Sequence, residues 1–181
     1  GTSERETAFA RVATPVAKYF NCSRAPAVAN EALQCHGGNG FIEENPMARV
    51  YREAPLNSVW EGSANMMCMD VRRAMRKDPA CRTALLAELQ EVRGQSRAFD
   101  AFVDGLPALL DAMLADEFLA RPASEALARA IQGAELLRHA SSEVIDTFMA
   151  SRLGGAGSWG SLFGTLGAGV SQAQRSEEHT S

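Results

Sequence analysis

Apolar residues return at three- and four-residue steps along most of the chain, and no stretch alternates apolar with polar long enough to form a strand. That pattern admits amphipathic helices and little else, so the expected fold class is an all-α bundle. Phe9, Val12, Ala13, Val16 and Phe20 predict a helix over 4–21, with Pro15 kinking it or sitting near its first turn. A second helix is expected over 25–35, with Pro26 suited to its first position and Gly37-Gly38 ending it. Beyond the polar turn Glu43-Glu44-Asn45-Pro46, a short helix through Met47, Val50 and Tyr51 ends at Pro55. The next helix spans 63–77, with Met66, Met67, Val71 and Ala74 along one side. Another follows the Asp78-Pro79 break, through Leu85, Leu86, Leu89 and Val92. Two more are expected: one around 99–118, interrupted near Pro107, and one from Pro122 to about Met149 that ends at Gly154-Gly155. Trp159–Val170 is rich in glycine and reads as irregular.

Charge and cysteine usage narrow the function. A formal net charge of -4 over 181 residues gives no global reason to bind nucleic acid, although Val71–Arg97 is rich in arginine. No apolar run approaches the roughly 20 residues of a membrane span, and no signal peptide is recognisable. Cys22, Cys35, Cys68 and Cys81 form no C-x-x-C pair. Buried free thiols in a reducing cytoplasm are expected, with no disulfide and no metal site. The chain opens at Gly1 in polar residues, as the middle of a longer protein would. Its last seven residues, RSEEHTS, resemble a translated sequencing adapter and are set aside from the fold.

Residues with chemical potential concentrate between Glu31 and Val71. Gly37-Gly38-Asn39-Gly40 lies between two helical patterns, where glycine serves as a helix cap and tight connection whatever else it does. Trp60-Glu61-Gly62-Ser63 opens another helix. Glu61 there is either a carboxylate made basic by apolar surroundings or an exposed residue favoured by the helix dipole. Ser63 and Asn65 stand where free backbone amides suit a phosphate, and Ser63 could equally be a plain N-cap. Arg72, Arg73, Arg76 and Lys77 could meet DNA phosphates or form a solvated, salt-bridged face, and Asp70 and Asp78 dilute them. His36 has no nearby partner in sequence and reads as structural, and the methionine cluster around Met66 reads as helix packing.

In order, Gln34-x-x-Gly37-Gly38-x-Gly40, Tyr51-Arg52 and Trp60-Glu61-Gly62-Ser63-x-Asn65 resemble the C-terminal helical domain of the acyl-CoA dehydrogenase family. Tyr51–Ser63 and the later Ser151-Arg152-Leu153-Gly154-Gly155 with Trp159-Gly160 are similar to its AidB-like branch, associated with the response to DNA alkylation. The resemblance covers nearly all of residues 1–170. It implies a family-type helical bundle over 1–78 and an AidB-like helical extension over 79–174, with 175–181 the adapter remnant. It also implies an intact FAD-dependent, homotetrameric enzyme that dehydrogenates an acyl-CoA thioester. Glu61 would be the base. Gln34, Gly37, Gly38 and Gly40 would meet the adenine end of FAD in a neighbouring subunit, and Gly62, Ser63 and Asn65 would contribute further FAD contacts. The family commonly has Thr and Gln where this chain has the shorter Ser63 and Asn65. The branch also keeps open a flavoprotein acting mainly as a binder of duplex DNA, through Arg72, Arg73, Arg76 and Lys77.

Overall fold

The computed structural model describes residues 3–154, so the Trp159–Val170 expectation, the Gly155 and Trp159-Gly160 positions and the adapter-like end lie outside the described residues. Every regular element among the described residues is helical. In chain order these are α1 (Glu4–Cys35), α2 (Gly38–Phe41), α3 (Pro46–Glu53), α4 (Ala64–Lys77), α5 (Pro79–Gln90), α6 (Arg97–Asp104), α7 (Leu106–Ala115), α8 (Ala120–His139) and α9 (Ser142–Phe148). Short 3-10 segments span Ala54–Ser58 and Glu117–Leu119, and a π-helical turn spans Met149–Leu153.

The first helix departs from the expected pair. α1 runs 32 residues without a break, through both Pro15 and Pro26. Ser3 and Glu6 start it with a reciprocal capping box, Ser3 Oγ accepting from the Glu6 N–H at 3.2 Å and Glu6 Oε2 from the Ser3 N–H at 2.6 Å. An interior proline costs about 3 kcal/mol in an isolated helix. Tertiary contacts offset this, because Val12, Pro15, Val16, Tyr19, Phe20 and Ala29 are all buried along α1. Between the two prolines, the Arg24 guanidinium stacks 3.6 Å from the Phe20 ring centroid and pairs with Glu125. Packing therefore joins two helices that local propensity separates.

Later breaks follow the punctuation more closely. Asn45 caps α3, its side chain accepting from the Met47 N–H at 3.0 Å with Pro46 at the first position. Asp78 separates α4 from α5, and Gly105 separates α6 from α7 two residues before Pro107. The expected single helix over 122–149 is instead α8 and α9, divided at Ala140-Ser141, with Ser141 in the extended N-cap conformation. The buried face of α4 is Cys68, Val71, Ala74 and Met75, whereas Met66 is 53% exposed, so the methionine cluster is only partly core.

Two compact units emerge among the described residues, one of 3–85 with Ala112–Glu125 and one of Leu86–Asp111 with 126–154. In the first, α1 and α4 pack antiparallel: Arg11, near the start of α1, binds Asp70 through two hydrogen bonds of 2.7 and 2.9 Å, and Lys18, further along, reaches the loop that precedes α4. Val12, Val16, Cys68, Val71 and Leu85 are at most 1% exposed in that core. The second unit is built on Phe99, Leu89, Leu106, Leu110 and Leu127, and Gly133 lies against the Phe99 ring, where a Cβ would come within 3.0 Å. Within the same unit Arg138 holds Glu88, Glu91 and Glu135 together.

Candidate functional site

Lys18 locates the loop that carries the acidic candidate. After the 3-10 turn Ala54–Ser58, the Val59 and Trp60 amides both donate to the Leu56 carbonyl, at 2.9 and 3.2 Å. Lys18 Nζ donates to the Asn57 carbonyl and, at 3.1 Å, to the Trp60 carbonyl. Glu61 follows with φ +54°, the sole non-glycine residue at positive φ among those described, and Gly62 with φ +107°. A left-handed conformation costs a residue with a Cβ about 1–2 kcal/mol. Each charge-assisted hydrogen bond contributes about 1.5–3 kcal/mol, enough for the lysine clamp to hold the strained residue. Gly62 is required by its own φ, and Met67 Cε lies where its Cβ would be, so its close neighbour within this chain is a methionine.

Of the two settings the sequence leaves open for Glu61, this chain shows the exposed one. Its side chain is exposed, and Trp60 beside it is 55% exposed. Trp60 gives Glu61 no apolar shielding within this chain, because the turn directs both side chains outward.

At the start of α4, Ser63 occupies the N-cap, but its hydroxyl makes no capping hydrogen bond. The first-turn amides are thus not satisfied by their own cap, which suits an anionic group. Asn65 Oδ1 is committed to a partner within this chain: it accepts from Arg121 Nη1 at 3.0 Å, and that guanidinium lies 5.5 Å from the Tyr19 ring centroid.

The glycine turn lies elsewhere on the first unit. Gln34, exposed in the last turn of α1, is 16 residues past Lys18, about 24 Å along the helix axis. The candidate residues therefore form two groups rather than one pocket. Gly37 ends α1 with φ +58°, as expected of a helix stop, and His36 caps it through its backbone N–H. Gly40 is buried, and a Cβ there would fall 2.4 Å from the Leu33 carbonyl oxygen. Gly38 differs from both. It is exposed, helical, and has nothing within 4 Å of a Cβ position, so the fold itself places no demand for glycine there.

The basic run also divides. Arg72 Nε and Nη2 donate to the Met113 and Leu114 carbonyls at 2.8 and 2.9 Å, closing the C-terminal end of α7. Arg72 is thus removed from the candidate DNA contacts, because its guanidinium is used in packing. Arg73 lies 3.5 Å from Asp70 but is largely exposed, and Arg76 and Lys77 are exposed in the last turn of α4.

Among the four free thiols, Cys68 and Cys81 are buried, and burial pushes both thiol pKa values up, making them poor nucleophiles. Cys35 is exposed and Cys22 half-buried, contrary to the expectation that all four are interior, since both fall on the outer part of α1. Among the described residues no group of three or more His, Cys, Asp or Glu could hold a metal, and no helix is long and apolar enough to cross a membrane.

A family model described as "Acyl-CoA dehydrogenase, C-terminal domain" matches residues 2–76, the stretch that contains both groups of candidates. Residues 2–76 belong to the acyl-CoA dehydrogenase family. Similarity extends further along the chain. AidB of Escherichia coli (strain K12), classed with the acyl-CoA dehydrogenases, is 39% identical over 145 residues, covering 76% of this chain and 25% of AidB. Acyl-CoA dehydrogenase family member 11 of Caenorhabditis elegans is 26% identical over 99 residues, 55% of this chain and 16% of that protein. The chain therefore spans a quarter or less of the length of these two relatives. A solved structure of Caenorhabditis elegans ACDH-11 in complex with C11-CoA superposes with TM-score 0.73 over 99% of this chain and 34% of that one; at 20% identity it establishes the fold, that of an acyl-CoA dehydrogenase C-terminal helical region.

Sequence reading missed two residues that hold the Glu61 loop and the start of α4 from other helices. Lys18 is a lone lysine within a helical pattern, and Arg121 lies 56 positions from Asn65. Neither carries a local signal, because both act through contacts distant in sequence.

Proposed function

We propose that this chain is the C-terminal helical part of an FAD-dependent, acyl-CoA dehydrogenase-like oxidoreductase, with Glu61 as the base. The observation that carries the reading is the exposed, left-handed Glu61, clamped from α1 at the head of α4 within the family domain. Strained residues fixed by their surroundings concentrate at functional sites.

The residues present fit a flavin nucleotide. Gly38 leaves an open backbone that no internal packing requires, and the uncapped start of α4 offers amide donors with a favourable dipole. FAD, when bound, supplies the acceptor for a hydride from the substrate β-carbon. Gln34, Gly37, Gly38 and Gly40 would meet the adenine end, and Gly62, Ser63 and Asn65 the second contact region. The 24 Å between the groups along α1 favours contacts to different cofactor copies in a homotetramer. Asn65 would contribute through its amide nitrogen, since its oxygen is held by Arg121. Glu61 takes the α-proton of the acyl thioester as the β-hydride departs, leaving an α,β-enoyl thioester and a protonated carboxyl. Acyl-CoA is the partner this chemistry needs, in the cytoplasm. In the intact protein, Glu61→Gln is expected to abolish flavin bleaching by acyl-CoA, read by absorbance under anaerobic conditions.

The second reading is binding to duplex DNA, favoured by the exposure of Arg73, Arg76 and Lys77 on one end of α4. If it holds, replacing both Arg76 and Lys77 by alanine lowers DNA affinity and reduces the salt slope by about 1–2, with melting unchanged. An unchanged slope would remove it. Arg72→Ala is expected instead to lower the melting temperature, because it frees the α7 carbonyls.

A further inference from the structure

Lys18 uses its charge in an unusual way. A lysine on a helix surface ordinarily points to water or a carboxylate; here the half-buried Nζ donates to two main-chain carbonyls of one loop, those of Asn57 and Trp60. The Trp60 carbonyl belongs to the peptide plane whose rotation about the next N–Cα bond is the φ of Glu61. Fixing that carbonyl against α1 fixes the plane. A flip of the plane would break the bond from Lys18 and take Glu61 out of its left-handed conformation, +54°. The next residue, Gly62, also has a positive φ, +107°, so the loop enters α4 through two successive left-handed residues.

We propose that Lys18 is a positioning residue: its ammonium locks the Trp60–Glu61 peptide plane and so aims the Glu61 carboxylate. The inference rests on the reading of Glu61 as the base. Lys18 touches no substrate in this account and acts only through the loop. Without the ammonium, the carboxylate samples several directions and reaches the reacting proton in a fraction of encounters, which slows proton removal with little effect on substrate affinity.

The test uses the intact protein that carries this chain, with Lys18→Met, which keeps the stem and removes the charge, and Lys18→Arg, whose guanidinium can still donate to both carbonyls. Hydrogen exchange of the peptide spanning 59–62 and the rate of flavin bleaching by acyl-CoA are measured in each. Lys18→Met is expected to speed exchange in that peptide about tenfold. It should also slow bleaching on the order of 10- to 100-fold at nearly unchanged half-saturating acyl-CoA, with Lys18→Arg recovering both. Should Lys18→Met not fold, Lys18→Leu, a shorter side chain that likewise has no donor, gives the same comparison. Wild-type exchange in Lys18→Met, or faster exchange with unchanged bleaching, would overturn the inference. Failure of the underlying reading shows separately, as bleaching that survives in Glu61→Gln.

Discussion

At the residue scale, the three glycines of the turn do different work, and substitution separates them. Gly40→Ala is expected to destabilise the chain by about 1–3 kcal/mol, because its Cβ would meet the backbone oxygen of Leu33 and cannot be relieved by a rotamer change. Gly38→Ala should be neutral or stabilise by up to about 1 kcal/mol, having open space and a helical position. Denaturant unfolding distinguishes them, and equal losses would contradict the packing described. If Gly38→Ala keeps stability but weakens FAD binding in the intact protein, its glycine serves the cofactor. The Arg11–Asp70 pair gives a pH prediction. The hydrogen bonds from Arg11 hold the Asp70 carboxyl below its ordinary value of 3.8. Its contribution is therefore fully present above about that value and lost as the pH falls through the lower folded value. Arg11 is nearly half exposed, so the contribution is at most about 1 kcal/mol. Asp70→Asn should lower stability by that amount at neutral pH and remove this part of the acid slope, and a wild-type slope in Asp70→Asn would contradict it.

At the element scale, α1 shows where local sequence stops being informative. Gly37, Asn45, Asp78 and the break near Pro107 were legible because each acts through its own backbone: positive φ, a cap, or a missing N–H. Pro15 and Pro26 sent the same signal and were overruled by the burial of Val16, Tyr19 and Phe20 and by the Arg24–Glu125 pair, contacts that span about a hundred positions. The split between α8 and α9 was missed for the opposite reason, since the apolar spacing continues past Ser141 although the backbone does not. Because Pro26 lacks the donor that would reach the Cys22 carbonyl, Pro26→Ala is expected to raise the melting temperature, with a gain of about 1–3 kcal/mol. A lower melting temperature would show that the proline ring is itself part of the packing.

At the scale of the whole molecule, the family domain was readable from its ordered motifs, whereas the setting of its carboxylate was not. Glu61 can be singled out from Trp60-Glu61-Gly62-Ser63, but its left-handed backbone, its exposure and the Lys18 clamp arise from how α1 lies against the loop. Val59 and Trp60, just before it in the loop, are exposed as well. The central claim is that Glu61 removes the substrate proton, and anaerobic titration of the intact flavoprotein with straight and branched acyl-CoAs, following flavin absorbance, tests it most directly. The account predicts bleaching in the wild type and its loss in Glu61→Gln with the flavin still bound; bound flavin that no acyl-CoA reduces, or bleaching undiminished in Glu61→Gln, would contradict it.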